Sequence, residues 1–250
     1  MSKNTYDDNF YKDREKQTAY AAQRILKIIL ENMGDKRIQS AVDVGCGVGT
    51  WLNQIHLTCK TDDVWGYDGA YVNKGYLMIP LEHFRPYNLE ERIITDRRYD
   101  IAISLEVAEH LSPNRAKSFV EDLCLLADTV LFSAATMFQG GTGHKNEQRL
   151  NYWIEKFQVF GYEPIDVIRP VIWDDVKIPV WYRQNIMLFR KTSKDRSEYE
   201  HVIDLIHPDL YEEKLSIMYR YKNKLLFKIY FGVRNVVISV GRKIKRLIKQ

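Results

Sequence analysis

The sequence predicts an α/β fold, a doubly wound and largely parallel sheet with a C-terminal helical extension. Short apolar runs alternate with helix-period segments through five units, which is the pattern of a parallel sheet covered by crossover helices. Glycines and acidic residues stand just past the ends of the first, second and fourth of these runs. Acidic residues stop at Glu213, so the last segment differs in kind from what precedes it. At ~150 residues per domain, 250 residues make one domain with an extension, or two small ones.

Residues 10–33 read as a helix, with Ala22, Ile25, Leu26 and Ile29 on one face and Gly34 as its stop. Ser40 to Val44 is a strand running into glycines, and a helix follows over 50–57. Val64 to Tyr67 is the second strand, ending at Asp68-Gly69, and a third is expected over 83–87. Tyr99 to Leu105 is the fourth. Ser112-Pro113 opens a helix to Ala127, with Ser112 expected as N-cap. Thr129 to Ala134 is the fifth strand, followed by a glycine-rich loop at 139–143. A helix over 147–160 ends at Gly161. Two late strands, near 163–168 and 180–190, have no long helix between them and are expected to pair antiparallel.

A 45% apolar and 12% aromatic composition excludes a disordered chain. Cys46, Cys59 and Cys124 are few, odd in number and without CxxC spacing, so neither a disulfide scaffold nor a structural zinc site is expected. The charged start MSKNTYDDNFYKDREK lacks the apolar run of a secretory signal. No uncharged apolar stretch reaches the ~18 residues of a spanning helix. The expectation is a globular, cytoplasmic protein in a reducing compartment.

After the first strand stands Asp43-Val44-Gly45-Cys46-Gly47-Val48-Gly49-Thr50. A dinucleotide loop wants GxGxxG, and its third glycine position is Thr50 here; a phosphate loop wants a Lys, and none is present. Three alternating glycines still let a ligand approach the backbone closely. Asp68, at the end of the second strand, can accept both hydroxyls of a ribose. The pair suits a nucleoside without a pyrophosphate, with Asp43 placed to face an ammonium group. The competing reading is a tight strand–helix turn that binds nothing.

VDVGCGVGTWL (42–52), VWGYDG (64–69) and YDIAISLEVAEHL (99–111) resemble, in order and spacing, the first, second and fourth motifs of class I S-adenosylmethionine (SAM)-dependent methyltransferases. The resemblance covers residues 1–190. It implies a Rossmann-like, seven-stranded sheet whose last strand is inserted antiparallel, and SAM as cofactor. Gly45, Cys46, Gly47 and Gly49 would then lie under the methionine part and the ribose, and Asp68, followed by Gly69, would hold the ribose hydroxyls. Asn88 and Leu89 occupy the place of the usual Asp-hydrophobic pair near the adenine, with Asn as a departure. Leu105 and Glu106 would line the cofactor.

A hydroxyl acceptor needs a base, and histidine suits neutral pH. Two of the six histidines fall where a site is expected: His110 after the fourth strand and His144 in the loop after the fifth. Each competes with a plainer role, a helix-start hydrogen bond or a solvated loop position. The loop QGGTGHKNEQRLNYW (139–153) resembles one from a bacterial methyltransferase subgroup linked to glycan modification. Its Thr142, His144, Asn146, Glu147 and Gln148 suit a hydroxyl-rich acceptor, and Trp153 offers either a face to a sugar ring or a core aromatic. Glu109, His110 and His144 are potential metal ligands, but no HExxH-type spacing supports a metal, and none is expected. Cys46 reads as a packing residue. Tyr11 stands on the first helix, either packed or folded over the cofactor.

Residues 191–213 read as a linker with a short helical segment, and 214–250 as a basic amphipathic helical tail. Of the 37 Lys and Arg, 11 lie in the tail, and none of the 33 Asp and Glu does. The net charge of +4 therefore divides into −7 over residues 1–213 and +11 over the tail. Leu225, Leu226, Ile229, Tyr230, Val233, Val236, Val237, Val240, Ile244, Leu247 and Ile248 share one face at ~100° per residue. Such a helix fits an anionic membrane surface; its rivals are packing on the domain, self-association or an acidic partner. No nucleic-acid partner is expected, and oligomeric state is not legible. The functional expectation is methyl transfer from SAM to a small-molecule or glycan acceptor, a sugar hydroxyl in surface polysaccharide synthesis. The alternatives are methylation of nucleic acid or protein, or a non-catalytic SAM-binding assembly factor at the membrane.

Overall fold

The computed structural model describes residues 8–34, 37–199 and 201–247. The chain divides into two units, Met1–His207 and Pro208–Gln250, so residues 191–207 are part of the first. The described elements are α1 (Asp8–Glu31), β1 (Ser40–Val44), α2 (Thr50–Cys59), β2 (Asp63–Asp68), β3 (Phe84–Pro86), β4 (Ile101–Leu105), α3 (Ala116–Leu126), β5 (Thr129–Ser133), α4 (Leu150–Val159), β6 (Tyr162–Ile165), α5 (Arg169–Ile172), α6 (Val180–Asn185), β7 (Met187–Lys191) and α7 (Pro208–Leu247). The side chain of Tyr11, and residue Ile248, lie outside the described residues.

The seven strands form one sheet in the order β3-β2-β1-β4-β5-β7-β6. β1 to β5 run parallel, and β7 is antiparallel to both β5 and β6. Alternation along each strand sends side chains to two cores. Val130 and Phe132 of β5 join Phe119, Leu123, Trp153 and Phe157 of α3 and α4 on one face. Leu131, between them, joins Ile25, Leu26 and Ile29 of α1 and Leu52 and Ile55 of α2 on the other. Phe132 centres the first core, with its ring 5.2 Å from Trp153 and 5.3 Å from Phe157. Trp153 is therefore a core residue, and the sugar-platform role is corrected: its helix turns it toward the sheet.

The late strand expected over 180–190 is also corrected. Residues 180–185 form α6, and the strand begins at Met187. Val180-Trp181-Tyr182 favours a strand by propensity, but Pro179 just before the helix supports its start and burial of Tyr182, Gln184 and Asn185 decides the matter. Ser112 does not cap α3. A 3₁₀ turn, Pro113–Arg115, precedes the helix, and the Ser112 hydroxyl donates to Glu90 Oε2 at 2.9 Å instead.

The segment after β3 is held by a buried cation. Arg115 is 5% exposed and donates to the carbonyls of Leu89 (3.1 Å) and Glu91 (2.7 Å) and to the buried carboxylate of Asp122. Arg92 binds the other oxygen of Asp122 at 2.6 Å. Arg115→Ala takes the guanidinium donors from the carbonyls of Leu89 and Glu91 and leaves the fully buried Asp122 carboxylate with only Arg92 and the Ile93 N–H, so a loss of ~3 kcal/mol in unfolding free energy is expected by urea denaturation. Arg115→Met, which keeps the volume but not the charge, should not restore it.

Candidate active site

Strand order reverses between β1 and β4. The helix after β1 covers one face and the helix after β4 the other, which leaves a crevice at the carboxyl ends of both strands. A cavity of about 660 Å³ opens there. Of the residues expected from sequence, Gly45, Asp68, Gly69, Asn88, Leu89, Leu105, Glu106 and His110 line it. Asp43, Cys46, Gly47, Gly49 and His144 are not among its lining residues, and Tyr71, Tyr87, Glu90, Val107 and Lys145 are lining residues the sequence did not single out.

The glycine loop is tied to β2, since the N–H groups of Gly45 and Cys46 donate to the Tyr67 carbonyl at 2.7 and 3.2 Å. Gly45 (φ +92°) is required twice over, because a Cβ there would lie 2.2 Å from Val107 Cγ2. Gly47 (φ +54°) has nothing within 4 Å of the corresponding position. Cys46 packs its sulfur against Gly66, and burial pushes its thiol pKa up. Asp43 is buried at the end of β1; burial, then the charge of Asp68, push its carboxyl well up. Asp68 Oδ2 accepts from the Gly47 N–H at 2.7 Å, and Oδ1 accepts from the Gly69 N–H and the Tyr71 hydroxyl, both at 2.6 Å. The Asn88 amide is turned to its own loop: Oδ1 accepts from the Glu90 N–H and Nδ2 donates to Glu91.

At the end of β4 the chain turns sharply. Glu106 is left-handed (φ +56°), and its N–H donates to the Ser133 carbonyl at 3.0 Å. Its carboxylate accepts from Gln139 Nε2 (2.9 Å) and Asn185 Nδ2 (3.1 Å), and desolvation pushes its pKa up. Gln139 and Asn185 are functional-region residues the sequence did not reveal. The turn Ala108–His110 follows. Glu109 is fully buried and neither of its carboxyl oxygens has a partner. Burial, and then the charge of Glu106, push its pKa up to about 9.

His144 arrives from the glycine-rich loop. The N–H groups of Lys145 and Asn146 donate to the Glu109 carbonyl at 2.7 and 2.9 Å, which fastens that loop to the turn. The His110 and His144 rings stand edge to face with centroids 4.7 Å apart. Burial, then His144, lower the His110 pKa. His144 Nδ1 lies 2.7 Å from Glu147 Oε1, which also accepts from the Gly140 N–H at 2.6 Å. Asn146 is buried and Glu147 is committed to His144, so the loop offers fewer groups to an acceptor than its composition suggests. Glu109, His110 and His144 each present a potential ligand atom within 4.8 Å of the others.

Residues 14–123 match the model of a family described as a methyltransferase domain. No curated protein matches the chain in sequence. Solved structures share its fold. A magnesium protoporphyrin IX methyltransferase from Synechocystis PCC 6803 with bound SAM is 16% identical, with a TM-score of 0.53 over 76% of this chain and 86% of that one. A chain of the complex between the Haloferax volcanii Trm112 methyltransferase activator and a methyltransferase is 13% identical, with a TM-score of 0.54 over 75% and 97%. The small RNA methyltransferase HEN1 is 15% identical, with a TM-score of 0.51 over 80% of this chain and 28% of that one.

Gly45 and Gly47 separate two costs. Gly45→Ala adds a collision to a left-handed backbone and is expected to cost ~3 kcal/mol, with SAM affinity lost in calorimetry. Gly47→Ala meets only the backbone penalty, ~1 kcal/mol, and should keep a folded protein in thermal denaturation.

Proposed function

Starting from a SAM-dependent methyltransferase domain, we propose that this chain methylates a hydroxyl oxygen of a small-molecule or glycan acceptor, such as a sugar of a surface polysaccharide. The observation that carries the reading is the Glu109–His110–His144 cluster beside the switch-point cavity. Gly45, Asp68 and Leu105 form the cofactor side, with Asp68 as partner for ribose hydroxyls and Asn88 and Leu89 beside the base. The histidine cluster forms the acceptor side. The acceptor oxygen gives its proton to an imidazole nitrogen and attacks the methyl carbon. The carbon–sulfur bond breaks, and its electron pair stays on sulfur, neutralising the sulfonium. The protein's part is alignment, exclusion of water and acceptor activation. His110→Ala and His144→Ala should each depress turnover 10²-fold or more while calorimetric SAM affinity persists. Full activity in both single variants and in the double variant would remove the histidines from the reaction. Asp68→Ala should weaken SAM binding at least tenfold, and an unchanged affinity would remove its ribose role.

A second part of the reading concerns α7. Among the described residues no helix is long and apolar enough to cross a membrane. Leu225, Leu226, Ile229 and Val233 are exposed on a helix whose last acidic residue is Glu213. A basic helix with an apolar face suits the surface of an anionic bilayer, where each Lys or Arg contributes about 1 kcal/mol. The full chain should sediment with phosphatidylserine-containing vesicles, less so in high salt, and Leu226→Glu/Ile229→Glu should abolish it. Equal sedimentation of both forms would remove the membrane.

A further inference from the structure

We propose that Glu109, His110 and His144 form a binding site for a divalent transition-metal cation at the acceptor side of the cavity. The inference rests on reading this cluster as the acceptor-activating group, and deepens it. Three independent features point to a cation. The first is Glu109, fully buried with both carboxyl oxygens lacking a hydrogen-bond partner. An ionised carboxylate there needs compensation, which either a proton or a bound cation supplies, and a cation also engages the two imidazoles beside it. The second is the support behind His144. The Glu147 carboxylate, itself fixed by the Gly140 N–H, accepts from Nδ1–H of His144 at 2.7 Å and leaves Nε2 with its lone pair free. A carboxylate or carbonyl on the far nitrogen is the usual backing of a metal-bound histidine. The third is convergence: Glu109, His110 and His144, from the turn after β4 and the loop after β5, each present a ligand atom within 4.8 Å of the others.

The donor set selects the ion. Two imidazoles and one carboxylate suit Mn²⁺, Fe²⁺, Co²⁺ or Zn²⁺ better than Ca²⁺, which prefers an all-oxygen shell. Three protein ligands leave positions open, and because His110 lines the cavity the open side faces it. With a cation there, the acceptor hydroxyl coordinates it and becomes more acidic. The histidines then act as ligands, and this step replaces the proton transfer to imidazole of the metal-free reading. The hydroxyl proton passes to water, the oxygen forms its bond to the methyl carbon, and the carbon–sulfur pair returns to sulfur.

The test is made on the full chain, stripped with EDTA and titrated with Mn²⁺. Electron paramagnetic resonance should show one Mn²⁺ bound per chain and displaced by Zn²⁺, and pulsed measurements should show coupling to two imidazole nitrogens. Glu109→Gln and His144→Ala should each lose the site, and Glu147→Gln should weaken it 10- to 100-fold. SAM affinity, measured on the same samples, reports that the variants are folded. Absence of stoichiometric Mn²⁺, or of imidazole coupling in the unsubstituted chain, overturns the proposal whatever the variants do. If metal is absent but His110→Ala and His144→Ala still abolish turnover, the proton-accepting histidine stands and the cation falls. If metal binds through these residues but no hydroxyl acceptor is methylated, the cation site stands and the acceptor reading falls.

Discussion

Ala41, Val42 and Asp43 of β1 lie parallel beside Ile101, Ala102 and Ile103 of β4, and the rest of the molecule is arranged by that pairing. With β2 on the far side of β1 and β5 on the far side of β4, the chain has to cross in opposite directions after the two strands. Both sheet faces are thereby covered, and the carboxyl ends of β1 and β4 are held open between diverging helices. Gly45 and Val107 show how closely these ends approach: one methyl group at Gly45 would collide with the other strand's exit.

The two sides of the cavity are built differently. The side formed by β1 and β2 relies on backbone, with glycine N–H groups anchored to the Tyr67 carbonyl and to Asp68. The side formed by β4 and β5 relies on buried and half-buried polar side chains: Glu106 with Gln139 and Asn185, and Glu109 with two imidazoles nearby. A backbone cradle is indifferent to protonation, whereas buried carboxyls are sensitive to any charge that enters.

The first five strands and the doubly wound class were legible because short apolar runs alternate with helix-period segments, and that alternation is written in the sequence. The glycine loop and Asp68 were legible for a similar reason: few residue types satisfy a left-handed turn or a bidentate contact. What the sequence hid is long-range. Asn185 reaches Glu106 across 79 positions, and the misreading of α6 as strand concealed which residues of that segment point inward. Ser112 has a cap's sequence context, yet Glu90, brought near by the fold, takes its hydroxyl. His110 and His144 were each visible as candidates, but their meeting depends on two N–H bonds to one carbonyl, which no spacing rule records.

Asp68 carries a consequence for selectivity. Both of its oxygens already have donors, two from backbone N–H groups and one from the exposed Tyr71 hydroxyl. The two N–H donors are fixed by the turn, so the replaceable one is the tyrosine. Three of about four acceptor positions are thus taken, so a ligand presenting two hydroxyls to Asp68 would fill one open place on Oδ2 and trade places with Tyr71 for the other. The trade is nearly even for a ligand that returns an equivalent O–H, and unfavourable for one that displaces the phenol without returning one, since a buried carboxylate oxygen is then short of a donor. For a ligand that presents two hydroxyls to Asp68, Tyr71 would be an internal competitor for one of the two places.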